Sequence, residues 1–507
     1  MNRARHLLKS SVIVILLFGL GKLTGLIRIR LVSVTFGTGS EFDAFTAANQ
    51  LPEVFFTVIA GGSLAAAFIP IYSEYLTSRP AKESARLANT IMTLVILVLG
   101  VVSALGAIFA PWLTRVFLVP DFPPETQALT ADIMRIILIQ TTLFGISGVM
   151  SSILNAHQHF ALPALAPVAL DVGYIIGLLF LVPRIGILGL AWGTVIGALL
   201  HIAVQVPALR HFNYRYRPVL AMKMRGVREV VRLMIPRIFT LGTIQIADLF
   251  IIRLASGLAV GSTSGYFYAY GLMQLPETLF ATSIALVVFP TMAELYNAGN
   301  IEELKHTAVQ TLSIIWFLTI PAAAGMVLLG RPAIAVLLQG GQFDEASAQL
   351  VYTVLVVFSI RIVSEGTVEV VARLFYAQHN TIVPMFAYVG WLVVNVFLAV
   401  WLVDELGIVA LALASTVAFT FLAVVLYVLN SRALGGLGER ELAINGGRAI
   451  AATLGMTVVI LGIGRVITQP FLFLIVGGMV GATVYLLLST ALGGREIQHL
   501  RVLVRTR

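Results

Sequence analysis

The chain has no cysteine, so it can form no disulfide, no thiolate metal site and no cysteine nucleophile. That absence leaves its compartment open. Charge is scarce as well: 11% of the 507 residues are Asp, Glu, Lys or Arg, while 59% are hydrophobic, against roughly 25% and roughly 45 to 50% in soluble domains. So few charges exclude a large soluble domain anywhere along the chain. What the sequence does have is a succession of apolar stretches of roughly twenty residues divided by short polar loops, the length at which a helix crosses a bilayer. Barrel strands would be about half as long and would alternate in polarity.

Segments 10–36, 44–73, 87–112, 129–154, 161–182, 184–208, 229–253, 264–292, 305–330, 347–376, 382–402, 406–431, 444–466 and 470–492 are predicted to span. The expected fold is an all-α polytopic membrane protein of about fourteen transmembrane helices. The basic start, Arg3, Arg5, His6 and Lys9, resembles a signal peptide. No small-residue cleavage site follows it and the apolar run is too long, so it reads as the first span. Loops on one side hold Arg79, Lys82 and Arg86, then Arg210, Arg215, Arg217, Lys223, Arg225 and Arg228, then Arg432, Arg440 and Arg448, and last a tail with Arg495, Arg501, Arg505 and Arg507. Loops on the other side are nearly free of Lys and Arg and carry Glu41, Asp121, Glu125, Asp344, Asp404 and Glu405. Basic loops stay in the cytoplasm, so both termini are expected there, and the net charge of +9 reflects this bias rather than nucleic-acid binding.

A shift of about 220 residues brings two halves of the chain into register. Leu51-Pro52-Glu53 meets Leu275-Pro276-Glu277, Pro70 and Glu74 meet Pro290 and Glu294, and Ala156-His157-Gln158-His159 meets Ala377-Gln378-His379-Asn380. Gly186-Ile187 likewise meets Gly407-Ile408. The domains expected are a six-helix bundle over 1–218, its repeat over 219–436, and an added helix pair with a basic tail over 437–507. An even number of spans per repeat relates the halves by an axis along the membrane normal, the arrangement that leaves a central cavity. The prolines also show a slip, since Pro52 and Pro70 are 18 residues apart and Pro276 and Pro290 are 14 apart. Four residues are about one helical turn, so the repeats are expected to differ around Ala60-Gly61-Gly62-Ser63.

Ionisable side chains at membrane depth cost roughly 2.5 to 3.5 kcal/mol each and therefore mark candidate sites. The first span holds Lys22, Arg28 and Arg30 among Gly19, Gly21 and Gly25. Arg30, near the outer end, is expected to snorkel to the headgroups; Lys22 and Arg28 are expected on a cavity wall. The glycines permit bending or close helix approach. Asp43, at the start of the second span, is near enough in the chain to face Arg28. Glu53 and its partner Glu277 each follow a proline that frees a backbone carbonyl, which suits either a proton or cation site or a structural hydrogen bond. The seventh span carries Arg237, Asp248 and Arg253, and the tenth carries Arg361, Glu365, Glu369 and Arg373. Arg361, Glu365 and Glu369 share a helix face, as an internal ion-pair ladder or as a charged cavity wall.

Two motifs carry nothing. Gly19-Leu20-Gly21-Lys22-Leu23-Thr24-Gly25 has the glycines of a phosphate loop but no strand before it. His157 and His159 sit in a short turn with no further ligand cluster near in sequence, so a solvated loop is expected there rather than a metal. No metal, cofactor or ATP motif is expected, and transport would draw on a monovalent cation gradient, the membrane potential or the substrate gradient.

Phe36-Gly37, Asp43-Ala44-Phe45, Ala47-Ala48, Leu51-Pro52, Gly62 and Ala67-Phe68-Ile69-Pro70 resemble the N-terminal signature of the MurJ (MviN) family. The resemblance extends through Ile153-Leu154-Asn155-Ala156, Phe160, Pro163-Ala164-Leu165-Ala166-Pro167 and Leu272-Met273-Gln274-Leu275-Pro276. These are lipid II flippases of the multidrug/oligosaccharidyl-lipid/polysaccharide exporter superfamily, and the resemblance implies the 6 + 6 + 2 helix pattern of that fold. It also implies alternating access in the bacterial inner membrane, with lipid II, an undecaprenyl-pyrophosphate-linked glycan, moving from the cytoplasmic to the outer leaflet. Membrane lipids would surround the chain and cell-wall synthesis enzymes would be its neighbours. Arg28 and Asp43 match the family's functional positions, and Lys22 stands where the family usually has arginine, keeping the charge without the fork.

The sequence departs from that pattern at Phe56 and Thr57, where arginines are frequent, at Gly61, where an acid is common, and at Gly271 and Gln274, where arginine and glutamate are common. Arg237, Arg253 and Arg373 are the candidates to restore positive charge beside Lys22, Arg28 and Asp43. Glu53, Glu277, Glu365 and Glu369 are the candidates for coupling or gating. Other functions weighed are a flippase for another undecaprenyl-pyrophosphate oligosaccharide, a cation-coupled multidrug exporter of the same superfamily, and a scaffold for wall-synthesis enzymes.

Overall fold

The computed structural model describes residues 2–59 and 62–494, and their side chains except at 2–16, 18, 62, 63, 236, 237, 239 and 240. Fourteen long helical segments follow one another among the described residues, without a strand. They are α1 (Asn2–Phe36), α2 (Ser40–Ser78), α3 (Ala81–Ile108), α4 (Pro124–Ala156), α5 (Ala161–Ile185), α6 (Ile187–His211) and α7 (Arg225–Ala255). After these come α8 (Ser262–Asn297), α9 (Ile301–Leu337), α10 (Glu345–Ala377), α11 (Ile382–Leu406), α12 (Ile408–Leu434), α13 (Glu439–Val466) and α14 (Pro470–Ala491). Twelve of the fourteen are long and apolar enough to cross a membrane. The expected first and seventh spans fall on α1 and α7, helices of 35 and 31 residues that each include residues outside the description.

The chain divides into two compact units, Met1–Thr263 and Ser264–Arg507. The division falls after α7 because α7 packs on α2 in the first unit, whereas the repeat boundary read from the sequence lies ahead of it. The four-residue slip expected around Ala60-Gly61-Gly62-Ser63 lies outside the described side chains. In the paired stretch of α8, the turn after Pro276 widens into a π-helix over Glu277–Thr282, a distortion that follows from the donor proline lacks.

Backbone geometry repeats at the shift seen in the sequence. Gln158 and His379, 221 residues apart, are both left-handed, with φ of 60° and 58°. Both close a helix with the same pair of bonds: His159 N–H to Leu154 O and Gln158 N–H to Asn155 O in one unit, Asn380 N–H to Phe375 O and His379 N–H to Tyr376 O in the other. This is the two-bond helix terminus usually built on glycine. Gly186 and Gly407, also 221 apart, share φ/ψ of 59°/−145° and 56°/−134°, a region open in practice to glycine alone.

Within the first unit α5 and α6 touch backbone to backbone. A Cβ built on Gly173 would stand 2.1 Å from Gly197 Cα, and one on Gly177 2.5 Å from Gly193 Cα. Small residues at four-residue spacing permit this contact in membranes, where no hydrophobic drive holds helices together. In the second unit the added pair α13 and α14 packs on α9, with Phe317, Ala452, Met456, Ile460 and Tyr485 as its core and Tyr485 Oη donating to Phe317 O at 2.6 Å.

Candidate functional site

The first unit's site begins on one stripe of α1. Gly21, Thr24, Gly25 and Arg28 recur at helical spacing and face α5, where Val168, Asp171 and Tyr174 do the same. Arg28 Nε donates to Asp171 Oδ1 at 2.8 Å, Thr24 Oγ1 donates to Asp171 Oδ2 at 2.7 Å, and the Arg28 guanidinium lies 4.7 Å from the centre of the Tyr174 ring. Asp171 is almost fully enclosed at 8% side-chain exposure; Arg28 keeps 31%. Arg28 therefore uses Nε and one ring face for its own fixation, and its two Nη groups form no hydrogen bond among the described residues. Held in this way, a guanidinium retains the fork that recognises a phosphate.

The partner of Arg28 is thus Asp171 rather than the expected Asp43. Asp43 is buried and accepts the Gly261 N–H at 2.6 Å, within a loop contact where a Cβ on Gly261 would meet Thr38 O at 2.6 Å. Its place at the start of α2 turns it to that loop and away from α5. The α1 glycines are not close-contact sites: Cβ atoms on Gly21 and Gly25 would find ordinary contacts at 3.8 and 3.7 Å, and one on Gly19 none. Close approach is instead made at the α5–α6 seam, which fixes α5 and with it Asp171. Lys22 is exposed on α1. Because Asp171 offsets Arg28, the first unit is less cationic than Lys22 and Arg28 alone suggest.

The remaining expected cations are placed differently. Arg253 Nη1 donates to Val116 O at 2.7 Å and Phe117 O at 3.1 Å, where the π-helix Leu113–Leu118 leaves carbonyls without their usual donors. It caps a distorted helix end and does not stand free. Arg373 pairs with Glu369 one turn before it. Arg237 lies outside the described residues.

The second unit gathers the acids. Arg361 Nε donates to Glu365 Oε2 at 2.8 Å and Nη1 to Ser415 Oγ at 2.7 Å, with the guanidinium 4.0 Å from the Phe419 centroid and 5.1 Å from that of Tyr270. From α8, Gln274 Nε2 reaches Glu365 Oε1 at 3.3 Å. Glu277, 3% exposed, accepts from Thr282 Oγ1 at 2.9 Å and Thr278 Oγ1 at 3.3 Å. The expected ladder on α10 is present as two ion pairs, Arg361 with Glu365 and Glu369 with Arg373. Glu277 stands on facing helix α8 with hydroxyl partners. Glu53, on α2 in the first unit, lines a largely apolar cavity together with Gln140 and His201.

Asp171 was absent from the residues singled out in the sequence. A lone carboxylate within the apolar run from Pro163 to Leu181 carries the same signal that marked Lys22 and Arg28, but it belongs to no cluster. The turn holding His157 and His159 is partly solvated, with Gln158 exposed and both histidines half-buried; His157 stacks on Phe212 at 4.5 Å and meets Tyr72 edge-on at 6.0 Å. Burial there holds the His157 imidazole below its ordinary range.

Residues 32–477 match the model of the family described as lipid II flippase MurJ. A probable lipid II flippase MurJ of Bdellovibrio bacteriovorus is 31% identical over 470 residues, covering 90% of each chain. A probable one of Vibrio cholerae is 29% identical, covering 82% of this chain and 81% of the relative. Among solved structures, a lipid II flippase MurJ in an inward closed conformation superposes with a TM-score of 0.80 at 23% identity, covering 98% of this chain and 100% of that one. An inward-facing multidrug resistance MATE transporter of the MOP superfamily follows at 0.69 and 16%, covering 83% and 96%. Both superpositions carry the fold alone: an all-α bundle of many long apolar helices. The extent of the family match and the identity shared with the Bdellovibrio protein settle the family: this chain belongs to the lipid II flippase MurJ family.

Proposed function

We propose that the chain carries lipid II from the cytoplasmic to the outer leaflet of the bacterial inner membrane by alternating access. Arg28 is the observation that supports this most directly. A half-exposed guanidinium with its Nε pinned by Asp171 and its Nη groups open suits the pyrophosphate of a lipid-linked sugar, and exposed Lys22 on the same helix adds a second cation. Pinning keeps the fork oriented before the ligand arrives, which lowers the entropic cost of binding. The work is binding and release without a covalent step; the chemistry on either side belongs to cell-wall synthesis enzymes, the expected neighbours. Both termini are assigned to the cytoplasm on the distribution of Lys and Arg. A monovalent cation gradient or the membrane potential supplies the drive, with Glu53, Glu277, Glu365 and Glu369 as the groups whose charge state changes through the cycle.

Leaflet transfer of labelled lipid II in proteoliposomes tests the reading. Arg28→Ala is expected to slow transfer by about tenfold or more, the loss of one charge-assisted contact worth roughly 1.5 to 3 kcal/mol, and Arg28→Lys to recover part of the rate. Wild-type transfer by folded Arg28→Ala, or no transfer by the wild-type chain, would overturn it.

A further inference from the structure

A groove of about 850 Å³ opens in the first unit between α3 and α6, which both pack on α4. Its floor is Ile146 and Met150 of α4, one turn apart. Its walls are Met92 and Ile96 of α3 and Ile202 and Val206 of α6, spaced in the same way. Ile96, Ile146, Ile202 and Val206 are only half-buried, so the groove is open to their side chains. Water gains nothing against such walls, whereas an acyl chain covers them at no cost. On α6 the lining runs from Ile202 to Arg210, about 12 Å of helix, and there it turns from apolar to charged.

The charged end is a built mouth. Arg210, Asn213, Arg215 and Tyr216 line it and are exposed. α6 closes over Asn213, left-handed at a φ of 56°, with the Tyr214 N–H on Leu209 O at 2.9 Å and the Asn213 N–H on Arg210 O at 3.0 Å. The chain that follows is tied to α3. Tyr216 Oη lies 3.2 Å from Thr93 Oγ1, the Val219 N–H donates to Thr93 Oγ1 at 3.3 Å, and the Ala221 N–H donates to Thr90 Oγ1 at 3.3 Å. This strap carries Arg215 back to the groove that Arg210 already borders. Neither guanidinium has an ion pair or hydrogen bond among the described residues. No carboxylate lines the groove, and from Arg210 to Arg228 the chain has six basic residues and no acidic one. Charges of one sign at the mouth of an apolar cleft concentrate the field and draw a counter-ion.

One molecule that satisfies both ends is an amphiphile with an anionic head. We infer that this groove binds an anionic glycerophospholipid of the cytoplasmic leaflet, its phosphate between Arg210 and Arg215 and an acyl chain along Ile146, Met150, Ile202 and Val206. The basic strap belongs to the side assigned to the cytoplasm, where anionic lipids draw basic segments to the membrane surface. Met92 and Met150, with their flexible thioethers, conform to a chain that has no fixed shape. Arg28 and Asp171 do not line this groove. The inference is independent of the flippase reading: absent lipid binding overturns this site alone, and absent leaflet transfer overturns that reading alone.

Thermal melting of the delipidated full chain in neutral maltoside micelles, with dioleoyl phosphatidylglycerol or dioleoyl phosphatidylcholine added, tests the site. Phosphatidylglycerol is expected to raise the melting temperature saturably and phosphatidylcholine, with no net charge, to leave it unchanged. Arg210→Gln combined with Arg215→Gln is expected to move the midpoint to about thirtyfold higher lipid, two charges at roughly 1 kcal/mol each. Arg79→Gln combined with Lys82→Gln removes as much charge from another loop on the same side and is expected to leave the midpoint in place. Ile146→Trp, which fills the floor, is expected to abolish the rise. Should a variant fail to fold, phosphatidylglycerol with a diazirine in one acyl chain gives the answer on the wild type. Its label is expected on the α3, α4 and α6 peptides that contain Ile96, Ile146 and Ile202, displaced by unlabelled phosphatidylglycerol. The inference is overturned if phosphatidylcholine stabilises or displaces equally, if inorganic phosphate reproduces the shift, or if the Arg79 and Lys82 variant loses as much as the Arg210 and Arg215 variant. Displacement of the label by lipid II at lower concentration than by phosphatidylglycerol also overturns it, since the groove would then belong to the path of the carried lipid.

Discussion

Asp171→Asn isolates what the charge of one carboxylate does for the first unit. The amide oxygen can still accept from Arg28 Nε, and Thr24 Oγ1, which already lies 3.1 Å from Gly21 O, can turn its proton there and accept from the new amide. Hydrogen bonds are thus kept while one charge is removed. At about 4 Å between charge centres and an effective dielectric of about 20, the attraction lost is roughly 4 kcal/mol. Solvent at Arg28, 31% exposed, reduces this, and measured pairs bracket the outcome between about 0 to 1 kcal/mol at surfaces and about 3 to 5 kcal/mol in interiors. A coupling of about 1 to 3 kcal/mol is expected. Arg28→Gln, Asp171→Asn and the double variant, unfolded by denaturant in mixed micelles, give that coupling from a double-mutant cycle. Additivity within about 0.3 kcal/mol would mean that the pair does not fix Arg28, and the argument for a pre-oriented guanidinium would fail.

Two further predictions address the scaffold. Gly173→Ala places a methyl 2.1 Å from Gly197 Cα, where only a backbone shift relieves the overlap. A loss of about 1 to 3 kcal/mol is expected, and a melting temperature unchanged within a degree would show that backbone contact at the α5–α6 seam does not limit stability. Asp344 caps α10 by accepting the Ser347 N–H at 2.8 Å, so Asp344→Ala is expected to cost about 1 kcal/mol. That bond also holds the Asp344 carboxyl below its ordinary range. The cap's contribution is therefore complete above the usual aspartate pKa and is lost as pH falls through the depressed one. Hydrogen exchange in the first turn of α10 should rise over that acid window in the wild type and stay insensitive in the variant.

Helix positions were legible because lipid imposes a length: a run of apolar residues such as 406–431 has no other stable outcome. The repeat was legible because prolines and glycines record backbone geometry, and Gly186 and Gly407 share the conformation their shared place implied. The shared face of Arg361, Glu365 and Glu369 on α10 was legible from their spacing of four, but spacing left a ladder and a charged cavity wall equally open, and the two ion pairs came from the structure. Partners across helices were not legible. Nothing local to Arg28 points to a residue 143 positions away, and Asp43 was favoured only because it was near in the chain. The use of Arg253 could not be read either, because it answers carbonyls released by a π-turn that no sequence pattern announced.

The glycine seam between α5 and α6 has a mechanical consequence. Two backbones in direct contact have no side chains that could change rotamer and let one slide along the other, so the pair acts as a single beam. Shape change in the first unit must then be taken up where the chain is already interrupted, as at Pro52 in α2, while Asp171 rides on the beam as a fixed post. Under the proposed role of Arg28, a shift of α1 against that post is what would carry its guanidinium toward or away from an anionic head.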